Sequence, residues 1–468
     1  MMTSPRSRAA GSLADRGHSH QLTRRRLLGA SGVAIAAATV ARLRPSAATA
    51  QGSATPAASG TPAGGAEIAI TGQAVPELAV FDDTMAGLVA DWGLPGGQLA
   101  VAKDGRLVFD RAYGLGDVEA GEPFRPESLC RIASVSKTIT TVAVLALVDD
   151  GLLALDDRAF RLLAALPPPT GAPIDPRLDE ITIEQLLVHA GGWDSSTGND
   201  PQFTPWTWYE AGVLGVAAPP SAEEIVRAMM GSPLDFDPGA KSVYSNFGFN
   251  VLGRVIEQVS GQPYEAFVQE RVLAPAGVEG MRIGRTRLDE RTPGEVRYYA
   301  PPGMAPGASV FPGEGFVPWA YGGWYQEALD AHGGWIATAA DLVRFATAID
   351  GQRGTALLQP ATVEAMLRTP RPEVPEGAAG AGNADPAMGL GWVVVPAGGG
   401  VDWSHAGALI GSNGSWLART HDGLAIAFSF NSLPADLGGF FGAAIPAIQG
   451  AATGVAAWPS HDLFAASG

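Results

Sequence analysis

Runs rich in β-forming residues lie at both ends of the folded part of this chain, and a long helical stretch separates them. The β-rich runs are 98–102, 107–109, 391–395, 414–417 and 424–431. From about 156 to 329, helical patterns alternate with Pro/Gly loops and the β signal is thin. That order is typical of an α/β domain, here 67–155 and 330–460, with an inserted all-helical domain at 156–329. Clefts form at such joints.

Local patterns place several individual elements. An Asp104-Gly105 pair between two β-rich runs predicts a tight hairpin. The stretch from Ser136 to Asp150 predicts a helix that is apolar almost all round and therefore buried. Further helices are predicted at 76–92, 221–230 and 247–260, the second of them opened by a Ser221/Glu224 capping box.

The first 66 residues have the pattern of an export signal followed by a linker. A twin-arginine segment at 23–28 precedes an apolar run at 29–41 and an Ala48-Thr49-Ala50 cleavage site. Residues 51–66 are a Gly/Ala/Pro/Ser/Thr stretch that cannot build a core. We therefore expect a twin-arginine signal peptide at 1–50, a disordered linker at 51–66, and a periplasmic or extracellular protein.

A second apolar segment, 437–458, is about long enough to span a bilayer. It is rich in Gly and Ala and is interrupted by Pro446 and Gln449. These features favour a helix packed on a sheet over a membrane span. We expect no stable span in the exported protein.

Charge and composition exclude several function classes. Without the first 50 residues the chain has 23 basic and 46 acidic residues, a net charge of −23, which repels nucleic acid. Cys130 is the sole cysteine, so no internal disulfide can form, and its apolar neighbours predict a buried thiol. The seven His show no HExxH spacing, and we expect neither a metal nor a cofactor.

The most specific chemistry lies in Ser134-Val135-Ser136-Lys137, at the start of the buried helix. A serine hydroxyl needs a base, and a lysine one turn away can act as one if burial and nearby positive charge lower its pKa. The chain has only three Lys against 28 Arg, and arginine cannot serve as the base because it stays protonated. The helix start also offers N–H groups to a developing oxyanion.

Two later motifs add polar groups to this pair. In Tyr244-Ser245-Asn246 a phenol can relay protons, and an amide can hold both the lysine and a substrate carbonyl. In His405-Ala406-Gly407 a small residue lets substrate lie along a strand edge, and the N–H of Ala408 is a candidate second oxyanion donor. A fourth motif, at 186–192, contains His189, which we expect to be structural and hydrogen-bonded.

Taken together, SVSK, YSN and HAG in this order resemble the serine β-lactamase-related superfamily. That superfamily comprises class C β-lactamases, D-alanyl-D-alanine carboxypeptidases and family VIII carboxylesterases. The similarity runs from about 75 to 455 and includes LLVHAGG (186–192), FDPGAKSVYSN (236–246) and GGWIATAADLVRF (333–345). It implies a β-lactamase/transpeptidase-like fold, with an antiparallel sheet flanked by helices.

The resemblance also implies roles for individual residues. Ser134 would be acylated, Lys137 and Tyr244 would shuttle protons, and Asn246 would position the substrate. The Ser134 and Ala408 amides would form the oxyanion hole. No GxSxG elbow occurs, so a conventional α/β-hydrolase is excluded.

The chain departs from the family pattern where His405 replaces a lysine and Ala406 replaces a hydroxyl residue. Both lost groups help to grip a substrate carboxylate, and Arg419 is the one cation near in sequence. We therefore expect poor penicillin hydrolysis. Seven aromatics in or beside the inserted region favour an apolar substrate if they line the cleft: Trp193, Trp206, Trp208, Tyr209, Trp319, Tyr321 and Trp324.

The leading hypothesis is an exported serine hydrolase that cleaves a small ester, or an amide, through an acyl-Ser134 intermediate. Carboxylesterase-like activity stands first, a D-alanyl-D-alanine carboxypeptidase second and a β-lactamase third. A non-catalytic cell-wall or penicillin-binding protein is the hypothesis from another class. The intact set of Ser134, Lys137, Tyr244 and Asn246 argues against it.

Overall fold

A computed structural model describes residues 68–195, 200–203, 205–369 and 387–466. The expected signal peptide (1–50) and linker (51–66) lie outside these residues. The strands, in chain order, are β1 (Ile70–Thr71), β2 (Gly96–Lys103), β3 (Arg106–Asp117), β4 (Glu122–Pro123), β5 (Cys130–Arg131), β6 (Arg282–Ile283), β7 (Gly307–Ala308), β8 (Phe316–Val317), β9 (Trp335–Ala337), β10 (Ala387–Met388), β11 (Val393–Ala397), β12 (Gly400–Leu409), β13 (Asn413–Arg419) and β14 (Leu424–Phe430).

The helices follow the same numbering. They are α1 (Ala79–Asp91), α2 (Ser136–Asp149), α3 (Ala159–Leu162), α4 (Ile183–Leu187), α5 (Trp206–Leu214), α6 (Ala222–Met229), α7 (Asn246–Ser260), α8 (Tyr264–Val268), α9 (Ala339–Ile349), α10 (Pro360–Leu367) and α11 (Leu437–Thr453). Helix α6 begins with the Ser221/Glu224 capping box expected from the sequence.

The main sheet joins strands from the two ends of the folded part. Among the described residues it has nine antiparallel strands in the order β1-β3-β2-β14-β13-β12-β11-β10, with β4 paired to β3. The β2–β14 pairing connects the N-terminal hairpin to the C-terminal strands. This sheet confirms the antiparallel architecture that the family resemblance implied.

The hairpin between β2 and β3 forms because two residues adopt positive φ. Asp104 has φ of 50° and Gly105 of 76°, and Lys103 pairs with Arg106 across the turn. Two central residues in the left-handed region define the type I′ turn, whose twist matches that of the flanking strands. The Asp-Gly signal is therefore confirmed.

Alternation along the strands decides which helices cover each face of the sheet. On β14, Ile426 and Phe428 pack in the cluster that contains α1 and α11. Ala425 and Ala427 point the other way, into the larger cluster that contains α2, α7 and α9. The small alanines let α9 lie close to the strands. Helix α2 is buried in the same cluster, against α7 and α8.

In the described residues of 156–329 helices form most of the regular structure, as expected, but loops make up more than half of the segment and three two-residue strands interrupt it. Of these, β6 pairs with β9, which in turn pairs with β5, so a small second sheet holds the chain just before α2. Its strand β5 contains Cys130, which is buried as expected. The domain boundaries themselves stay a prediction.

The C-terminal apolar segment forms α11, which packs on the sheet as expected. Phe440 contacts Trp92 and Phe430 edge-on, with ring centroids 5.4 Å apart in each pair. None of the helices in the described ranges is long and apolar enough to cross a membrane.

The packing of α11 can be tested by removing its buried ring. Phe440→Ala should lower the free energy of unfolding by about 3 kcal/mol or more, because it deletes a fully buried aromatic side chain. Gln449→Ala, on the exposed face of α11, should change it by less than about 0.5 kcal/mol. Urea unfolding measures both, and equal effects would contradict the packing.

Candidate active site

Ser134 lies on a short 3₁₀ turn, Ala133–Val135, that continues directly into α2. Ala133 has a positive φ of 46°, a conformation that costs energy for a residue with a Cβ. The turn places Ser134 two residues before Ser136, the first residue of α2, at the N-terminal end of that helix.

Two neighbouring strands hold this turn in place. Ser415 Oγ of β13 donates to Ile132 O at 2.6 Å, and the Ile132 N–H donates to Trp335 O of β9 at 3.0 Å. Gly407 of β12 passes so close that a Cβ there would lie 2.2 Å from Ile132 O and 3.1 Å from Ser134 N. Only glycine fits at position 407, so β12 runs directly against the backbone of Ser134.

The Lys137 side chain is fully buried and ends beside Ser134. Its Nζ donates to Asn246 Oδ1 at 2.8 Å and to His332 O at 3.0 Å, and it lies 3.2 Å from Ser134 Oγ. Burial lowers the pKa of Lys137 to about 7, against an opposing contribution from Asp200. Much of the lysine is therefore neutral at neutral pH.

The three neighbours of Nζ match what a neutral amine offers. Such an amine has two N–H groups and one lone pair. Two carbonyl oxygens, from Asn246 and His332, accept the two hydrogens. The lone pair is left for the hydroxyl hydrogen of Ser134, which is the arrangement that a general base requires.

Tyr244 contacts the same hydroxyl from the other side. Its OH donates to Ser134 Oγ at 2.8 Å, and Lys137 Nζ lies 4.8 Å from the centre of its ring. Burial raises the pKa of Tyr244 above its ordinary value, so the phenol stays protonated. Tyr244 is thus arranged as a proton donor rather than as a phenolate base.

Asn246, the first residue of α7, has both ends of its amide engaged within the protein. Oδ1 accepts from Lys137, and Nδ2 donates to Asp200 Oδ2 at 2.7 Å. Sequence reasoning missed Asp200. It lies in an Asn-Asp-Pro loop with no motif, and only the fold brings it to the site.

His405 lies on β12, buried on the face of the sheet that looks toward Ser134's turn. Its Nδ1 donates to Ala406 O at 2.7 Å, which leaves Nε2 as an acceptor. Burial first, and Lys137 second, lower the pKa of His405 to about 3. The imidazole is therefore neutral, and position 405 carries no positive charge.

The outer part of β12 is open along one edge. It pairs with β11 only over Gly400–Ser404, while β13 pairs with it from Trp403 to Leu409. From His405 onward, no strand in the described part of the chain covers the other edge. Ala406 and Ala408 turn their side chains to the opposite face, against the α1/α11 cluster.

The remaining candidate polar residues have structural contacts. His189 is buried, its Nδ1 accepts from the Ser245 N–H at 3.2 Å and its ring lies 4.6 Å from that of Tyr244, which confirms the expected hydrogen-bonded histidine. Arg419 pairs with Asp350 at 3.0 Å, at the far end of β13 from the residues opposite Ala408. The charge of Arg419 is therefore already paired, two residues along β13 from Leu417, which is opposite His405.

The seven aromatic residues do not form one cleft lining. Trp208 and Tyr209 of α5 are exposed, and Trp206 packs edge-on against Tyr209. Trp193 packs in the core against Phe160 and Phe247, and Tyr321 packs against Tyr298. Near the nucleophile, one apolar cluster adjoins Ala133. Its other members are Trp324, Leu329 and Leu409, with Phe203 and Trp319 packed against them.

Comparison with known proteins agrees with this geometry. The β-lactamase family model matches residues 81–441. The esterase EstB of Burkholderia gladioli is 35% identical over 209 residues, which cover 43% of this chain and 49% of that protein. A lovastatin esterase of Penicillium rubens is 31% identical over 308 residues, 61% of this chain and 72% of that one. The chain thus spans about half the length of the first relative.

Among solved structures, SurE superposes with a TM-score of 0.59 at 28% identity, over 80% of this chain and 76% of that one. The family match extends over most of the chain, including the strands and helices that carry Ser134, Lys137 and His405. The chain belongs to the β-lactamase family, and the relatives it matches include proteins named as esterases and a putative D-alanyl-D-alanine carboxypeptidase.

Proposed function

We propose that this protein is an exported, carboxylesterase-like hydrolase that cleaves small esters through an acyl-Ser134 intermediate. The observation that carries the proposal is the buried amine of Lys137, held by two carbonyl oxygens with its third position at Ser134 Oγ. A lysine with a pKa of about 7 is matched to accepting a proton at neutral pH.

In the acylation step Ser134 Oγ attacks the ester carbonyl carbon, and its proton moves to Lys137 Nζ. The carbonyl oxygen becomes an oxyanion, which the N–H groups of Ser134 and Ala408 would stabilise. When the intermediate collapses, the carbon–oxygen bond to the alcohol breaks. Tyr244 gives its phenolic proton to the departing oxygen, and the Lys137 ammonium returns a proton to Tyr244.

In the second step a water molecule replaces the alcohol. Lys137, neutral again, accepts a proton from this water as it attacks the acyl carbon. The second tetrahedral intermediate collapses by breaking the carbon–Oγ bond. The proton then returns to Ser134, and the carboxylic acid leaves. Apart from the ester and one water molecule, every group in this cycle is a side chain or backbone N–H of the protein.

Three features support an ester substrate over one with a free carboxylate. His405 is neutral, so it offers no ionic partner where β-lactam and D-alanine enzymes usually have a lysine. The partly exposed Phe203 and Trp319 pack on the apolar cluster that contains Ala133, next to Ser134, and they would suit an uncharged acyl or alcohol group. Two of the relatives are themselves named as esterases.

The export part of the proposal depends on the sequence. The basic, apolar and cleavable parts of a twin-arginine signal follow one another in residues 23–50. A periplasmic or extracellular location follows from that order.

The nucleophilicity of Ser134 can be tested with a fluorophosphonate probe, which reacts with activated serines. The wild-type protein should be labelled, and Ser134→Ala should not. Lys137→Arg should slow labelling about 10²- to 10⁴-fold, because arginine keeps the charge but cannot accept the proton. Ser136→Ala is the matched control and should label normally, since its Oγ accepts from the Trp335 N–H rather than facing Lys137. A wild-type protein that is not labelled would favour a non-catalytic binding protein.

The substrate class can be tested with a panel of short p-nitrophenyl esters, D-Ala-D-Ala peptides and a chromogenic cephalosporin. We expect kcat/KM to be highest for the esters. His405→Lys should lower KM for the cephalosporin about ten-fold through a charge-assisted hydrogen bond and leave the neutral esters less affected. His405→Gln, which adds no charge, is the control. Rapid cephalosporin turnover by the wild type would overturn the ester assignment.

A further inference from the structure

Asp200 is the one anion that faces Lys137 among the residues the structure describes. Three imidazoles surround the amine, from His189 near α4, His332 in the loop before β9 and His405 on β12. Burial is the main cause that lowers the pKa of all three, with Lys137 the second cause, so they stay neutral. Tyr244, before α7, stays protonated because burial raises its pKa.

Asp200 also has an acidic neighbour, Glu210 of α5. Glu210 is 2% exposed, and burial, followed by the charge of Asp200, raises its pKa to about 10. Its carboxyl group is therefore protonated at neutral pH. Burial raises the pKa of Asp200, and the hydrogen bond from Asn246 and the charge of Lys137 oppose that rise. Of the two carboxyl groups on this side of the site, Asp200 is the one with partners that favour the negative charge.

The contact between Asp200 and the lysine runs through a single amide. Asp200 Oδ2 accepts from Asn246 Nδ2 at 2.7 Å, and Asn246 Oδ1 accepts from Lys137 Nζ at 2.8 Å. With its Nδ2 fixed on the carboxylate, the amide can present only its oxygen to the lysine. The carboxylate thereby decides the orientation of Asn246 and adds negative charge behind it.

We propose that Asp200 is a positioning residue of the acylation step, which holds the Asn246 amide toward Lys137 and acts as counter-ion to the ammonium that forms when Ser134 is deprotonated. The proposal rests on the proposed function, because it concerns the base of that reaction. Asp200 touches neither the nucleophile nor the reacting carbonyl, and it acts through Asn246.

Two effects follow from replacing the carboxylate by an amide. Without the negative charge the protonated lysine is less stable, so the pKa of Lys137 falls. Since activity requires the neutral amine, the acid limb of the pH profile moves to lower pH, by about one unit. The ammonium formed in the transition state also loses its partner, so the plateau rate falls about ten-fold.

The experiment measures kcat/KM for p-nitrophenyl butyrate from pH 5 to 9 in the wild type and in Asp200→Asn. For Asp200→Asn we expect a plateau of kcat/KM about ten-fold lower than that of the wild type, and an acid limb at a pH about one unit lower. Asp200→Glu should keep the wild-type acid limb, since it keeps the charge, with a smaller loss of rate. The control Asp194→Asn removes a carboxylate that pairs with Lys241 at 3.3 Å. It should change neither the plateau of kcat/KM nor the position of the acid limb.

The outcomes separate the two proposals. If Asp200→Asn melts like the wild type and its acid limb is unshifted, the proposed role of Asp200 is wrong. Fluorophosphonate labelling of Ser134 in the wild type would still support the proposed hydrolase. If Asp200→Asn does not fold, Asp200→Glu with a displaced acid limb would overturn the role equally. Wild-type protein that is not labelled at Ser134 would instead remove the proposed function on which this inference rests.

Discussion

The burial of one amine sets the chemistry of the whole site. Lys137 projects from α2 into a space enclosed by the sheet, by α7 and by the loop before β9, and its side chain is fully buried there. Desolvation favours the neutral form of a lysine, here to a pKa of about 7. The inserted helices and the sheet are both needed to enclose this space. The architecture is therefore a condition for the base, and not only a scaffold for the serine.

The same enclosure keeps the histidines and the tyrosine around Lys137 uncharged, so that Asp200 is the one anion beside it among the described residues. A second cation would repel the ammonium that forms in the proposed acylation and so destabilise it. The three nearby imidazoles do not have this effect, because burial keeps them uncharged. Because His405 on β12 is also neutral, it offers no positive charge to a substrate carboxylate. A neutral His405 and the apolar cluster that contains Ala133 suit an uncharged ester better than a substrate with a carboxylate.

Much of this could be predicted from the sequence, because it depends on local patterns. The Asp104-Gly105 hairpin, the buried helix α2, and the order of Ser134, Lys137, Tyr244 and His405 all have a signature in adjacent residues. Other features arise only from tertiary contacts. Asp200 reaches the site from a loop without a motif, and Ser415 of β13 holds the turn of the nucleophile through one hydrogen bond to a backbone oxygen. The two-residue strands β6, β7 and β8 are too short to have a periodicity.

The central claim concerns the protonation state of Lys137, and it can be measured without any substrate. Because the chain has only three Lys, ¹³C labelling of the lysine ε-carbons gives a spectrum simple enough to assign with Lys137→Arg. The account predicts that the Lys137 resonance titrates near pH 7. A Lys137 resonance that titrates near the ordinary lysine value of about 10.4 would contradict it, because the amine would then be protonated and unable to act as the base.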